Sequence, residues 1–492
     1  MRLRALALLL CAVLAGGCAM FAPPHDAARF DSAPAPLREC AEWYRALDER
    51  VAAAGVRDAQ DAPVPGFPYL RVSRLLASLR PAARASESAL RPLAERMLAL
   101  DIEARRYEIM NLPPGQRPEL RRARRCGGLL LDADLADPAA RAALLQRAEV
   151  ADDYRLVNRI IGLYWLTRLP FAEGVRRFQE ETLAEFRREP AVPEGARLVR
   201  YAPEPGLPLS RLRTAMLLAR AAENPLGIPE PAAGDLEALL AAHAPRLEVE
   251  VMGEYDRFGA LRWPGDGESP GVDGAQPAVY GHPAWTRYAG KVLLQLVYTL
   301  WFPERPPQSD GDILAGKLDG VTWRVTLAPD GEALVYDAIH PCGCYHLFFP
   351  TPRAAALPAP DGLQEWMFAP QSLPRLAEGE RPLLRIASGT HYLKRVSMTS
   401  GADGALRYVL RPYGELRSLE RGAGARASAF GADGLIAGTE RRERLVYWPM
   451  GIESAGAMRQ WGRQATAFVG RRHFDDADLF ERRFRFDLDS PR

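Results

Sequence analysis

The chain has no large excess of charge of either sign. Its 492 residues include 64 Lys and Arg against 62 Asp and Glu, which leaves a formal net charge of +2. A chain that binds nucleic acid or another acidic polymer usually carries a clear positive excess. The charge balance therefore gives no indication of a nucleic-acid partner, and we expect none.

Lysine and long apolar segments are also scarce. Lys291, Lys317 and Lys394 are the only lysines, so arginine supplies nearly all the cationic side chains. After residue 18 the longest apolar run is 292–302, and Gln295 interrupts it. Crossing a bilayer takes about 20 apolar residues. The body of the protein is therefore expected to have no membrane span, and no segment beyond the N-terminus has to touch lipid.

Several catalytic motifs are missing as well. The sequence has no His-Glu-x-x-His pair and no glycine-rich phosphate loop, and its one Gly-x-Ser-x-Gly match, 267–271, lies in a stretch rich in Gly and Pro rather than between a predicted strand and helix. These motifs identify many serine hydrolases, zinc proteases and nucleotide-binding proteins. The commonest hydrolase and nucleotide-binding classes are therefore not indicated.

The first 18 residues carry the clearest functional pattern. Arg2 and Arg4 precede an apolar stretch, 5–14, and three small residues lead to Cys18. A charged start, a short apolar segment and small residues before the cleavage point are typical of an export signal. With a cysteine directly after that point, the segment resembles a bacterial lipoprotein signal peptide, residues 1–17.

That resemblance implies lipid on Cys18, which would become the mature N-terminus. Ala19 follows it, as in lipoproteins that Gram-negative bacteria sort to the outer membrane. A diacylglyceryl group with a further acyl chain exceeds the two signals that stable anchoring requires. We therefore expect an outer-membrane lipoprotein that faces the periplasm, with the membrane as a partner through its N-terminal lipid.

The remaining chain divides by composition and periodicity. Residues 18–36 contain four prolines and read as a flexible tether. Apolar residues at helical spacing predict an α-helical domain over 37–245, and alternating patterns predict a β-rich domain over 246–492. A stretch rich in Gly and Pro, 264–277, is expected to form a long loop. The predicted fold class is α+β, with an antiparallel curved sheet or sandwich following the helices.

One helix of the first domain is predicted in more detail. Asp152 and Asp153 are candidate N-caps, and Pro170 is expected to end the helix. Between them the apolar spacing predicts one buried stripe. This stripe comprises Tyr154, Val157, Ile161, Tyr164 and Trp165.

Soft metal ligands are concentrated in residues 340–346. This segment holds His340, Cys342, Cys344 and His346. Imidazole and thiolate together suit zinc or copper. On an extended strand the two histidines would be roughly 20 Å apart, so a single site requires the chain to fold back. Otherwise the site needs additional ligands, and His282, Asp337 and His391 are the candidates.

The cysteines have two alternative roles. In an oxidising compartment Cys342 and Cys344 could bridge each other or pair with Cys40 and Cys126, and the sequence does not choose among the pairings. A thiol nucleophile would need a nearby base, and His346 or His391 could serve. A structural role for the four cysteines is the favoured interpretation.

The functional hypothesis that follows is a lipoprotein with a binding or envelope-organising role. Its ligand would be an envelope protein or a small molecule. The alternatives are a metal-binding protein or metalloenzyme built on residues 340–346, and a thiol-dependent hydrolase or transferase. Because no complete catalytic constellation is present in the sequence, the non-enzymatic interpretation is preferred.

Overall fold

The computed structural model describes residues 27–206, 209–264, 267, 269–402 and 404–488. The leader 1–17 and Cys18 lie outside these residues, so the lipoprotein assignment stays a prediction. None of the described helices is both long enough and apolar enough to cross a membrane.

The described helices lie mostly in the first half of the chain. They are α1 (Ala35–Ala53), α2 (Arg74–Ala85), α3 (Glu87–Asn111), α4 (Leu120–Ala136), α5 (Pro138–Arg147), α6 (Leu156–Ile161), α7 (Tyr164–Arg187), α8 (Arg211–Ala221), α9 (Ala233–His243) and the short α10 (Arg444–Tyr447). Single 3-10 turns occur at Ala27–Phe30, Pro114–Gln116, Glu254–Asp256, Tyr413–Arg417 and Trp448–Met450.

The strands lie mostly in the second half. They are β1 (Ala62–Val64), β2 (Phe67–Val72), β3 (Arg197–Pro203), β4 (Arg246–Val251), β5 (Ala260–Arg262), β6 (Gly271–Asp273), β7 (Ala278–Tyr288), β8 (Lys291–Arg305), β9 (Gly316–Leu327), β10 (Ala333–Ile339), β11 (Leu347–Pro350), β12 (Ala354–Ala356), β13 (Arg381–Ile386), β14 (Leu393–Thr399), β15 (Leu406–Pro412), β16 (Leu419–Gly422), β17 (Ala425–Ala427) and β18 (Phe484–Phe486). The predicted α+β fold class is confirmed.

The chain forms two compact units. The first comprises the described residues up to Gly55, Asp61–Ile109 and Arg117–Val150, and the second comprises Val56–Gln60, Met110–Gln116 and the chain from Ala151 onwards. The predicted boundary at 245/246 differs from this division. The reason is packing, because apolar side chains of α7 to α9 share one core with the sheet strands.

In the first unit, helices α1 and α4 pack against strand β2 of the β1–β2 hairpin, and a disulfide joins Cys40 in α1 to Cys126 in α4. Two buried arginines, Arg71 and Arg105, share the buried carboxylates Asp101 and Glu108. Each carboxylate thus contacts two guanidinium groups, which offsets the cost of removing these charges from water.

The second unit is built on a ten-stranded sheet with the order β11-β10-β9-β8-β7-β15-β3-β4-β13-β14. Strands β7 to β11 form an antiparallel meander. The sheet is mixed rather than purely antiparallel, because β15 lies parallel to β3 and β7, and β13 lies parallel to β4. The apolar run 292–302 is the buried centre of β8, and within the expected loop 264–277 residues 271–273 form β6, which pairs with β5.

The helix expected after Asp152 differs from its prediction. Two helices, α6 and α7, replace it, because Leu163 adopts a left-handed conformation with φ of +50°. Pro170 lies inside α7 and does not end it. The predicted buried stripe is wrong for three of its members, because Val157, Ile161 and Trp165 are 47%, 68% and 67% exposed.

The disulfide of the first unit predicts a measurable contribution to stability. Cys40 and Cys126 are 86 residues apart, and closing a loop of this length lowers the entropy of the unfolded chain by an amount worth roughly 4 to 5 kcal/mol. We expect the Cys40→Ala, Cys126→Ala double variant to lose about that much unfolding free energy in denaturant titrations. Reductant should destabilise the wild type similarly and leave the variant unchanged; equal stabilities would contradict the assignment.

Candidate functional site

Residues 340–346 form the turn between β10 and β11. The backbone N–H of His340 donates to the carbonyl of Cys344, and the N–H of Gly343 donates to the carbonyl of His340. Gly343 has φ of +97°, and a Cβ there would lie 2.4 Å from the carbonyl oxygen of Ala465. The chain therefore folds back at this segment, and the turn requires glycine at position 343.

A cavity of about 570 Å³ lies beside this turn. The turn supplies one wall and helix α7 supplies another, and residues 443–447 and 465–468 contribute further parts of the lining. Its aromatic lining includes Phe171, Phe178, Trp366, Tyr392, Tyr447 and Phe468. A concave, mainly apolar pocket of this size is what small-molecule sites usually present.

A second cavity of about 280 Å³ adjoins the first. The two share Phe178, Tyr345 and Tyr392 in their linings. These rings contact one another, with centroids 4.6 to 6.0 Å apart, so they form an aromatic partition between the cavities. His340 and Lys394 supply polar groups to the smaller cavity.

The two cysteines of the turn are free thiols, whereas Cys40 and Cys126 form the disulfide described above. The Cys342 sulfur accepts a hydrogen bond from the backbone N–H of Cys344 at 3.4 Å. A hydrogen bond to Cys342, together with burial, raises the pKa of the Cys344 thiol well above its usual value. Because the thiolate is the nucleophile, this environment favours an unreactive thiol at neutral pH.

Glu443 is the polar group of the larger cavity that stands out. Glu443 is only 2% exposed, and its carboxyl forms no ion pair within the part of the chain that the structure describes. Burial raises the pKa of Glu443 to about 7. The side chain lies against Gly456, where a Cβ would be 1.9 Å from its Oε1. This carboxyl can therefore be neutral or charged near neutral pH, according to what lies in the cavity.

Behind the turn lies a buried network centred on Asp319. Its Oδ1 lies 3.1 Å from His340 Nδ1 and 3.3 Å from Arg441 Nη2, and its Oδ2 lies 2.9 Å from His391 Nδ1. Burial alone would raise the pKa of Asp319, but its interactions with His340, Arg441 and His391 hold it well below its usual value. Asp319 is therefore a permanent anion.

The two histidines of this network have different environments. His391 also lies 3.4 Å from Asp256, and although burial alone would lower its pKa, the flanking carboxylates raise it. Burial lowers the pKa of His340, which outweighs the effect of Asp319. His340 is therefore neutral, with Nδ1–H donated to Asp319 and Nε2 left as the acceptor.

The remaining sequence candidates are used in packing. His346 Nε2 lies 2.8 Å from Asp337, which also forms a buried ion pair with Arg324. Burial lowers the pKa of His346 to about 3. His282 is packed between the rings of Tyr413 and Trp461, and burial lowers its pKa to about 3 as well.

The turn thus does not direct the side chains of its four candidate ligands toward one point. The two histidines point to separate aspartates, and among the described residues no group of three or more His, Cys, Asp or Glu side chains is arranged to hold a metal ion. The geometry gives the zinc or copper hypothesis no support, and it stays a prediction.

Sequence reasoning missed Asp319, Arg441 and Glu443. They lie about 20 residues before the turn and about 100 residues after it, in segments that show no chemical motif. Only the pairing of β9 with β10 and the packing of residues 441–443 against the turn bring them together. Comparison with known proteins finds no matching family model, no matching curated protein and no matching solved structure.

Gly343 offers a direct test of the turn geometry. Gly343→Ala is expected to lower the unfolding free energy by roughly 3 kcal/mol, because the new methyl group meets the Ala465 carbonyl. Gly379→Ala is the matched control, since its φ is +83° but its Cβ would meet open space, so only about 1 to 2 kcal/mol of backbone strain applies. Equal losses in denaturant unfolding would contradict the close approach.

The raised pKa of His391 predicts a pH-dependent contribution to stability. A histidine whose pKa is higher in the folded than in the unfolded state, near 6.5, stabilises the fold fully below pH 6.5 and loses this contribution as the pH rises through the folded value. The stability difference between wild type and His391→Gln should therefore shrink as the pH rises above 6.5.

Denaturant unfolding at a series of pH values checks this. His243→Gln is the control, because burial lowers the pKa of His243 to about 4, and its contribution should grow with pH up to 6.5 and then stay constant. Two parallel pH profiles would show that His391 is not held between charged carboxylates.

Proposed function

We propose that this chain is an outer-membrane-anchored, periplasm-facing lipoprotein whose second unit binds a small amphipathic molecule in the larger cavity. The observation that carries the proposal is the cavity of about 570 Å³ with its aromatic walls and its buried carboxyl group. The leader and Cys18 support the proposed location, and the cavity supports the proposed binding role.

The lining indicates the ligand class. Phe171, Tyr447 and Phe468 contact one another, with ring centroids 4.8 to 6.2 Å apart, and offer flat apolar faces. Such faces bind planar or aliphatic bodies and also attract organic cations. The ligand body would therefore be apolar, with area comparable to one or two aromatic rings.

Glu443 supplies the polar recognition group. Neutral, it can donate one hydrogen bond; ionised, it can pair with a cation. Another carboxylate of the lining, Glu365, already accepts from the backbone N–H groups of Phe468 and Val469. We propose that the ligand carries an amine or a hydrogen-bonding head that meets Glu443.

Two small-molecule probes, one cationic and one neutral, test this assignment. The organic cation benzyltrimethylammonium should bind the wild type several-fold more tightly at roughly pH 8 than at roughly pH 6, because Glu443, with a pKa of about 7, ionises over this range. Glu443→Gln should remove that pH dependence. The neutral dye N-phenylnaphthylamine should bind both proteins alike, measured by its fluorescence.

Phe171→Ala provides the test of the cavity walls. It should weaken both probes about tenfold, because one aromatic face is lost. Tyr288→Ala is the matched control, a half-buried aromatic residue outside both cavities. If neither probe binds, or if the two variants have the same effect, the binding proposal is wrong.

A further inference from the structure

A concentrated apolar surface lies on the second unit. Of the nineteen strongly exposed large apolar side chains among the described residues, eight belong to segment 156–169 and three to segment 445–448. Ile160, Ile161, Trp165 and Leu445 are each more than 60% exposed. We call these two segments together the apolar platform.

The two segments of the apolar platform are held together by short contacts. Arg159 Nε donates to the carbonyl of Met450 at 2.8 Å, and the N–H of Arg155 donates to the carbonyl of Gly451 at 2.8 Å. A Cβ on Gly162 would lie 2.5 Å from Pro449, so the backbones touch there. The exposed side chains therefore form one continuous surface, larger than the scattered apolar residues of an ordinary protein exterior.

The two segments of the apolar platform and their flanks carry arginines, and an exposed carboxylate close to them, Glu453, pairs with Arg155. Residues 154–171 contain Arg155, Arg159 and Arg168 and no carboxylate, and residues 444–452 contain Arg444 and no carboxylate. The side chains of Arg442 and Arg444 are exposed and form no ion pair with another described residue. The surface is therefore apolar, and Arg168, Arg442 and Arg444 give it positive charge that no described carboxylate pairs with.

The apolar platform is also continuous with the larger cavity. Pro170 and Phe171 directly follow its first segment, and both line the cavity. Val446 and Tyr447 of its second segment line the cavity too. A molecule that leaves an apolar phase at the platform would meet the aromatic walls next.

We propose that the apolar platform inserts into the interface of a bilayer that contains anionic lipids, as a second membrane contact of the folded body. Within the two segments, apolar side chains accompanied by Trp and Arg and by no acidic residue match the composition of helices that lie in the headgroup region. The proposal rests on the proposed function only in that the lipid anchor would keep this bilayer close, and it makes the cavity ligand a membrane-soluble molecule.

The test uses the mature chain, residues 18–492, with Cys18→Ser so that no acyl chain contributes to binding. Flotation with vesicles of phosphatidylethanolamine and phosphatidylglycerol should recover it with the lipid. Ile161→Ser and Trp165→Ser should each lower the partition coefficient about tenfold, because each removes one apolar side chain from the bilayer contact. Thermal unfolding should not change, since both side chains are exposed.

Two control variants distinguish binding through the apolar platform from nonspecific apolar adsorption and measure the contribution of charge. Leu212→Ser removes a leucine that is 63% exposed on helix α8 and should leave vesicle binding unchanged. Arg444→Gln should weaken binding to the anionic vesicles about fivefold and should not alter binding to phosphatidylcholine vesicles.

Several outcomes would overturn the proposal. They are an absence of flotation, equal effects of Ile161→Ser and Leu212→Ser, and a dimer in sedimentation velocity that Ile161→Ser dissociates. The last outcome would assign the platform to contact between two copies of the chain. Binding of N-phenylnaphthylamine in vesicle-free solution is read separately, so the cavity proposal can stand or fail independently of the platform.

Discussion

Asp319 is the buried charge on which the site of the second unit depends. It joins strand β9 to the turn through His340, to the segment before β14 through His391, and to residue 441 through an arginine. Removing one partner from a buried ion pair typically costs 3 to 5 kcal/mol, because the other charge stays unpaired. The position of the cysteine turn and of Glu443, two residues after Arg441, is therefore tied to one carboxylate.

Buried arginines play the same role elsewhere in the molecule. Arg324 pairs with Asp337 and Arg417 pairs with Asp58, each with two nitrogen atoms on the carboxylate. The planar guanidinium can satisfy several acceptors in one fixed geometry, which a lysine ammonium cannot do. A chain with only three lysines thus uses its arginines inside the fold as well as on its surface.

The sequence was informative where periodicity reports burial and uninformative where distant segments meet. The predominance of helices over 37–245 and of strands over 246–492 follows from the apolar spacing, and a single site at 340–346 was expected to require a fold-back of the chain. The prediction that the apolar stripe at residues 157–165 is buried was wrong for a physical reason. An apolar face predicts contact with something apolar, but it does not predict that the contact lies within the same chain. Asp319 and Glu443 were not predictable, since only tertiary packing brings them to the turn.

The covalent link between Cys40 and Cys126 has a topological consequence for the first unit. Every peptide bond between these positions lies inside a closed ring, which includes the β1–β2 hairpin and helices α2 and α3. A protease that cuts once within the ring leaves both fragments in one molecule, and only a reductant separates them. Proteolytic damage in this region therefore does not release the second unit from the N-terminal segment to which the first unit is attached.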